Sequence, residues 1–461
     1  MYTRVFLTAQ YGVVSELYAY VSFLFVLLTY GMETAFFRFA EEKQHRASVY
    51  STALLSLLST SAVFVFFAVV FSGSIAGWLD YSNHREYIIW FALILAFDAV
   101  SSIPYAKLRK ENKALRFALI KTINIFINIG LNLFFILLCP YLLLHSHSAL
   151  ILNTVRFLYD SQVGVGYIFI SNLVASAVTL LILGSDLLKV RLVLNGVLLK
   201  QMLRYAWPLL MFSFAGIINE TFDRIILKHL LPESSDPMAQ LGIYGACYKI
   251  SILMTLFIQT YRYAAEPFFF QKARSLGAKA LYADMMTYFV IICTFLFVGV
   301  MLYIDMVMHF VGEKYRVGAP VVPILLFANL CLGVFYNLSV WFKLTDKTIY
   351  GAFISVFGTA VTLVLNLTLI PVMGIMGAAW ATLICYASMM VISYIIGQQF
   401  YPVKYDLPRI IGYLVLAVVI YKTSQWVHLH GLLKYGFSTL LLLIFVAVIA
   451  LTMLKSNIRK A

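Results

Sequence analysis

The chain has 461 residues, 62% of them apolar and only 12% charged, with a mean hydropathy of +0.90 and a formal charge of +14. A water-soluble domain is nearer half apolar and a quarter charged, so this composition excludes a soluble protein. Apolar runs of about 20 residues, each able to cross about 30 Å of hydrocarbon, recur from end to end and leave no stretch for a soluble domain of ordinary size.

Taken in chain order, the hydropathy pattern predicts about thirteen membrane spans, near 13–37, 49–78, 87–105, 117–140, 163–184, 203–228, 243–266, 285–309, 319–342, 349–370, 376–397, 408–424 and 435–454. Nearly all of this must be helix, because backbone polar groups in lipid have to be satisfied within the segment. Pro104, Pro208 and Pro371 fall in or beside spans and mark expected kinks or ends. Loop charge sets the expected orientation. The segments 38–46, 107–116, 189–204, 272–279, 343–347, 404–409 and 455–460 hold 22 Lys and Arg, against seven in the alternate loops. The richer set faces the cytoplasm, which puts the C-terminus there and the N-terminus outside. These basic residues are juxtamembrane, so the pI near 9.4 does not signal a nucleic-acid partner.

Cys139, Cys247, Cys293, Cys331 and Cys385 all sit in apolar runs without close pairs and read as buried hydrophobes. The close histidine pairs His145/His147 and His428/His430 lack further ligands, so no metal is expected. No cofactor is expected either. There is no nucleotide-binding loop, nucleophile elbow or triad spacing, so the chain reads as a non-enzyme.

Self-comparison at an offset of 233 aligns Tyr11-Gly12 with Tyr244-Gly245, Tyr30 with Tyr263, and the segment from Met32 to Ala40 with that from Ala265 to Ala273, Glu33 falling on Glu266. The offset spans six helices, an even number, so the two halves keep one orientation. This predicts a parallel internal repeat of two six-helix lobes with a cleft between them. The expected lobes are residues 1–184 and 203–399, followed by two extra C-terminal helices within 408–455.

Tyr2-Thr3-Arg4-Val5-Phe6, Glu16, Tyr30-Gly31-Met32-Glu33-Thr34 with Phe36-Phe37-Arg38-Phe39, and Pro208 followed by Asn219-Glu220, Asp223-Arg224 and Leu227-Lys228 resemble the polysaccharide and O-antigen flippases. These belong to the multidrug/oligosaccharidyl-lipid/polysaccharide exporter superfamily, and the resemblance covers essentially the whole chain. It implies fourteen helices, two lobes of six and a terminal pair. It also implies transfer of undecaprenyl-pyrophosphate-linked sugars to the periplasmic leaflet of a bacterial inner membrane, for O-antigen or lipopolysaccharide assembly. The implied partners are the lipid-linked oligosaccharide, membrane lipid and other polysaccharide-assembly membrane proteins. This chain starts at the end of the first family helix, so that helix is expected to be missing and to be needed for full activity.

Polar residues inside the spans are the candidate site, because a charge at mid-bilayer is costly unless it meets a cavity or a partner. Glu220, Arg224 and Lys228 share one helical face, with Asn219 and Asp223 beside them, as either an ion ladder or a cavity wall. Lys228 lacks an anion nearby along the chain, which favours a pyrophosphate. Arg224, Lys228, Arg4 and Lys249 are therefore the expected substrate cations, with snorkelling the alternative for Lys249. Asp98, near mid-span with no basic neighbour at helical spacing, is either a hydrogen-bonded carboxyl or a coupling site. Asn124, Asn128 and Asn132, preceded by Lys121, form a stripe that suits interhelical glue or sugar contact. Glu33, with Arg38 five residues on, and Glu266, with Arg262 four before it, read as gating pairs; Glu220 and Asp223 join this gating or coupling group.

Three functions follow as expectations. A lipid-linked oligosaccharide flippase working by alternating access leads. A cation-coupled multidrug exporter is disfavoured by the intramembrane cations, and a glycan polymerase or ligase by the short outward loop near 141–162.

Overall fold

A computed structural model describes residues 1–41, 48–187, 193–272, 275, 277–345, 347–427, 429 and 431–460. Among them there is helix and connecting turn, with no strand. In chain order the α-helices are α1 (Tyr2–Val5), α2 (Thr8–Thr29), α3 (Met32–Phe39), α4 (Val49–Val70), α5 (Ser72–Trp78), α6 (Arg85–Lys110), α7 (Ala114–Leu133), α8 (Cys139–His145), α9 (Ala149–Leu158), α10 (Gly166–Leu187), α11 (Gly196–Leu230), α12 (Pro237–Lys272), α13 (Ala278–Leu302), α14 (Ile304–Met308), α15 (Val321–Leu338), α16 (Val340–Leu344), α17 (Thr348–Met373), α18 (Ile375–Phe400), α19 (Leu407–Trp426) and α20 (Gly431–Lys460). The all-helical membrane fold expected from composition is borne out. Twelve helical segments among the described residues are long and apolar enough to cross a membrane. The predicted span 203–228 is helix as well, inside the 35-residue α11, but it carries Arg204, Glu220, Asp223, Arg224 and Lys228 and is not among the twelve.

Several predicted spans differ in detail, each for a local reason. The first is broken at Tyr30 and Gly31, whose φ values of 33° and 71° leave the helical region. Gly31 lies against Ala206, whose carbonyl oxygen would be 3.3 Å from an added Cβ, so a positive φ and a close neighbour coincide there. Glu33 consequently sits in the first turn of α3, where a carboxylate meets the positive end of a helix. The fourth span runs through a π-helical turn at Phe134–Leu138 into α8, just before Pro140, which offers no amide donor. The loop near 141–162, expected to face outward, contains the helix α9. Pro104, Pro208 and Pro371 lie inside α6, α11 and α17 without ending them.

The chain forms two compact units, which divide at 16/17 and 217/218 where the sequence suggests lobes of 1–184 and 203–399. In the unit of residues 17–217, Met32 and Phe36 of α3, Leu54 and Leu57 of α4, Ile103 of α6, and Leu198 and Met202 of α11 make one core. The other unit joins residues 1–16 to 218–461. Its core includes Leu227 of α11, Tyr244 and Tyr248 of α12, Val321 and Leu325 of α15, Ile370 of α17 and Ala378 of α18. The five cysteines are free and buried, as expected.

Residues 1–16 join this unit through a crossing of α2 on α12. A Cβ on Gly12 would lie 2.1 Å from the Met238 carbonyl oxygen, and one on Gly242 2.0 Å from that of Thr8. Only hydrogen fits at either position, and this lets the two backbones touch. Tyr11-Gly12 and Tyr244-Gly245, which the offset comparison pairs, both lie at this crossing, with Ser15 Oγ 2.3 Å from the place of a Gly245 Cβ.

Candidate functional site

The cationic candidates of the larger unit gather on the last turns of α11, on α12 and on the N-terminal segment. Leu227 anchors α11 in the core with no exposed surface, which leaves Arg224 and Lys228 at the margin of the buried face. The Arg224 guanidinium lies 3.7 Å from the centre of the Tyr248 ring, donates from Nη2 to the Glu220 carbonyl at 3.2 Å, and has Nε 3.9 Å from Asp223 Oδ1. Its side chain is 17% exposed, and its buried Nε makes no hydrogen bond among the described residues. Asp223 is itself buried, accepting the hydroxyl of Tyr244 at Oδ2 and the Arg224 backbone N–H at Oδ1. Tyr244 and Tyr248, one turn apart on α12, are thus the floor of the cluster. Sequence reading passed over them, although their i, i+4 spacing on a polar-studded helix is a usable signal.

Lys228 corrects an expectation. Its surplus of charge is illusory, because Lys228 Nζ lies 3.5 Å from Glu16 Oε1, and Glu16 has no exposed surface. Helical spacing cannot reveal that pair, since the partners are 212 residues apart. The surplus passes to Lys249 and Arg4. Lys249 is exposed, with Nζ 5.2 Å from the Tyr11 ring and 5.8 Å from the Tyr2 ring. Arg4 is also exposed and donates to the His309 carbonyl at 2.7 Å. The surrounding segment is pinned down: Thr3 Oγ1 accepts the Gly312 N–H at 3.0 Å, and the Tyr315 hydroxyl donates to the Phe6 and Leu7 carbonyls at 2.9 and 3.0 Å. Burial, followed by the charges of Arg4 and Lys249, holds the Met1 amino group below its ordinary range. Burial, with Tyr11 beside it, pushes the Tyr2 phenol up to about 12.

Glu220 is exposed, whereas Asn219 is buried and spent on packing. The Asn219 amide donates to the Ser355 carbonyl at 3.3 Å, and its oxygen accepts the Thr362 hydroxyl at 3.2 Å. Arg262 stacks on Tyr336 at 3.9 Å. The side chain of its expected partner Glu266 lies outside the described residues, as do Lys43, Arg46, Lys189, Arg191, Arg274, His428 and His430.

In the unit of residues 17–217, Glu33, Asp98, Lys121 and Asn124 come together at one polar cavity of about 480 Å³ between α2, α3, α6, α7 and α10. No basic residue lies at helical spacing from Asp98 along its own helix. Lys121 of α7 lines the same cavity, its Nζ 4.3 Å from the Tyr105 ring. Arg38 is not the partner of Glu33: it is exposed, and the Glu33 carboxylate pairs with Arg109 of α6. Arg109 had counted only as loop charge. The asparagine stripe ties helices together, Asn124 donating to Thr179 Oγ1 at 2.9 Å and Asn128 to Asn172 Oδ1 at 3.3 Å, both on α10. Asn132 is buried and donates to Asn128 at 2.7 Å.

A sequence-family model described as polysaccharide biosynthesis protein matches residues 1–272, more than half of the chain and the whole stretch from Arg4 to Lys249. The chain belongs to this family. The resemblance read from its residues is borne out. No curated protein sequence matches the chain. Among solved structures, this member of the family is similar to the lipid II flippase MurJ in an inward closed conformation, at 12% identity and a TM-score of 0.71 over 96% of this chain and 94% of that one. It is also similar to a multidrug resistance MATE family transporter of the MOP superfamily in an inward-facing conformation, at 15% identity and a TM-score of 0.58 over 88% of this chain and 94% of that one. The Vibrio cholerae MATE transporter VcmN in its bent form follows at 12% identity and a TM-score of 0.50, over 88% and 87% of the two chains. At these identities the likeness is one of fold: the chain is a multi-pass membrane protein with the fold of the MOP exporters.

Proposed function

We propose that the chain is a flippase for lipid-linked oligosaccharide, passing undecaprenyl-pyrophosphate-linked sugars across a bacterial inner membrane by alternating access. The observation that carries this reading is the cationic cluster of Arg4, Arg224 and Lys249 around Tyr11, Tyr244 and Tyr248, with Lys228 neutralised by Glu16. A pyrophosphate brings two or three negative charges. Lys249 and Arg4 are exposed cations without a carboxylate partner among the described residues, and the Arg224 side chain, 17% exposed, stands in the same unit. Glu16 and Asp223 hold the cluster in place, while the cations give the headgroup its hydrogen bonds and the prenyl chain stays in lipid. Membership of a polysaccharide biosynthesis family, and a fold shared with a lipid II flippase, support the same substrate class. The C-terminus is cytoplasmic in this reading, from the loop charges, and other polysaccharide-assembly membrane proteins are its partners.

The multidrug alternative has the MATE-like fold in its favour. Cationic drugs would meet exposed cations at this cluster, which repel them. Complementation decides between the two. The chain expressed in a bacterium lacking its own O-antigen flippase should restore surface polysaccharide, and Arg224→Ala should not. Drug resistance without polysaccharide would overturn the flippase reading.

A further inference from the structure

The cavity of the unit 17–217 is built unlike an ion site. Its charges cancel, Glu33 against Arg109 and Asp98 against Lys121, so no net negative charge awaits a cation. At about 480 Å³ it exceeds the roughly 30 Å³ share of one water more than tenfold and falls in the usual small-molecule range of about 300–1,000 Å³. Three helices aim stripes at it with matching periodicity: Asp98, Ser102, Tyr105 and Arg109 on α6, Lys121 and Asn124 with Phe117 on α7, and Asn172, Ser176 and Thr179 on α10. From Asp98 to Arg109 the cavity follows eleven residues of helix, roughly 16 Å at about 1.5 Å each.

Two hydroxyls in its wall, those of Ser101 and Tyr105, make no hydrogen bond among the described residues. Ser102 satisfies itself by donating to the Ala99 carbonyl at 2.6 Å. Its neighbour Ser101, 2% exposed and also lining the cavity, has no hydrogen-bond partner among the described residues. A buried hydroxyl left unpaired is costly unless something else fills the role.

We propose that this cavity is a saccharide site, taking one or two sugar rings of the transported glycan. Hydroxyls, amides and a balanced pair of charges match the alternating donors and acceptors of a pyranose, and the aromatic faces of Phe25 and Phe117 suit its C–H side. The proposal rests on the flippase reading for its substrate class, but it concerns a site apart from the cationic cluster.

Saturation-transfer NMR on the full chain in nanodiscs, with the methyl glycosides of glucose, galactose, N-acetylglucosamine and glucuronic acid as probes, tests it. At least one glycoside should receive saturation. Ser101→Ala, which removes a hydroxyl with no partner, should leave the melting temperature unchanged and weaken that binding about three- to tenfold, the loss of one neutral hydrogen bond. Ser176→Leu, which fills the cavity, should remove the signal. Absence of transfer from all four glycosides, transfer unchanged in both variants, or displacement by sodium at constant ionic strength would each overturn the proposal, the last in favour of an ion site. Arg224→Ala should keep glycoside binding while losing transport, so failure at the cationic cluster and failure at this cavity read out separately.

Discussion

Arg224 holds three different contacts at once, a ring face, a backbone carbonyl and a neighbouring carboxylate, and a lysine can reproduce only part of that geometry. Arg224→Lys should therefore weaken transport and Arg224→Ala nearly abolish it, as read by restored surface polysaccharide. Cysteines placed at Arg4 and Lys249, both exposed, should react quickly with a membrane-impermeant maleimide, and one at Arg224 slowly; slow reaction at all three would remove Arg4 and Lys249 from the accessible face of the site. The Glu16 and Lys228 pair belongs to stability instead. Removing Lys228 takes an ion-pair partner from a fully buried carboxylate, so Lys228→Ala should lower stability, while Glu16→Gln together with Lys228→Met should recover most of the loss. Thermal unfolding in detergent measures both. At this scale the sequence named the charged residues correctly but misjudged their partners. Helical spacing reports neighbours on the same helix, whereas Glu16 with Lys228 and Glu33 with Arg109 meet across helices.

Among the elements, the contact of α2 with α12 is the most demanding. Gly12 and Gly242 each face a backbone carbonyl too closely for any Cβ, so Gly242→Ala must force the helices apart and detach the segment that carries Arg4 and Tyr11. Its expected signature is a lowered melting temperature together with lost transport. Unchanged values for both would mean that the two helices do not pack as described. The asparagine stripe makes a gentler prediction. Asn128→Leu removes a bond to Asn172 and one to Asn132, and interhelical hydrogen bonds in membranes average about 0.6 kcal/mol, so a small loss of stability with transport retained is expected. The stripe was legible as a period of four. That its partners lie on α10, and that Asn124 also borders a cavity, depends on how three helices are brought together.

For the molecule as a whole, composition and hydropathy determined a polytopic helical membrane protein, because the absence of water inside a bilayer leaves helices as the economical way to satisfy the backbone of such long apolar runs. They also located the helix ends to within about seven residues, and the motifs around Glu33 and Arg224 sufficed to identify the family. Hydropathy could not foresee the break at Tyr30 and Gly31, since a window average is blind to one or two residues of unusual φ. Nor could it assign residues 1–16 to the unit of 218–461, which depends on two glycines fitting against backbone far along the chain. The tertiary structure alone decided which charges are paired and which are left over. An ion pair forms by proximity in space, and residues that meet across long helices here lie 76 and 212 positions apart in sequence. It moved the surplus cation from Lys228 to Lys249 and Arg4, and gathered Glu33, Asp98, Lys121 and Asn124 around a single cavity.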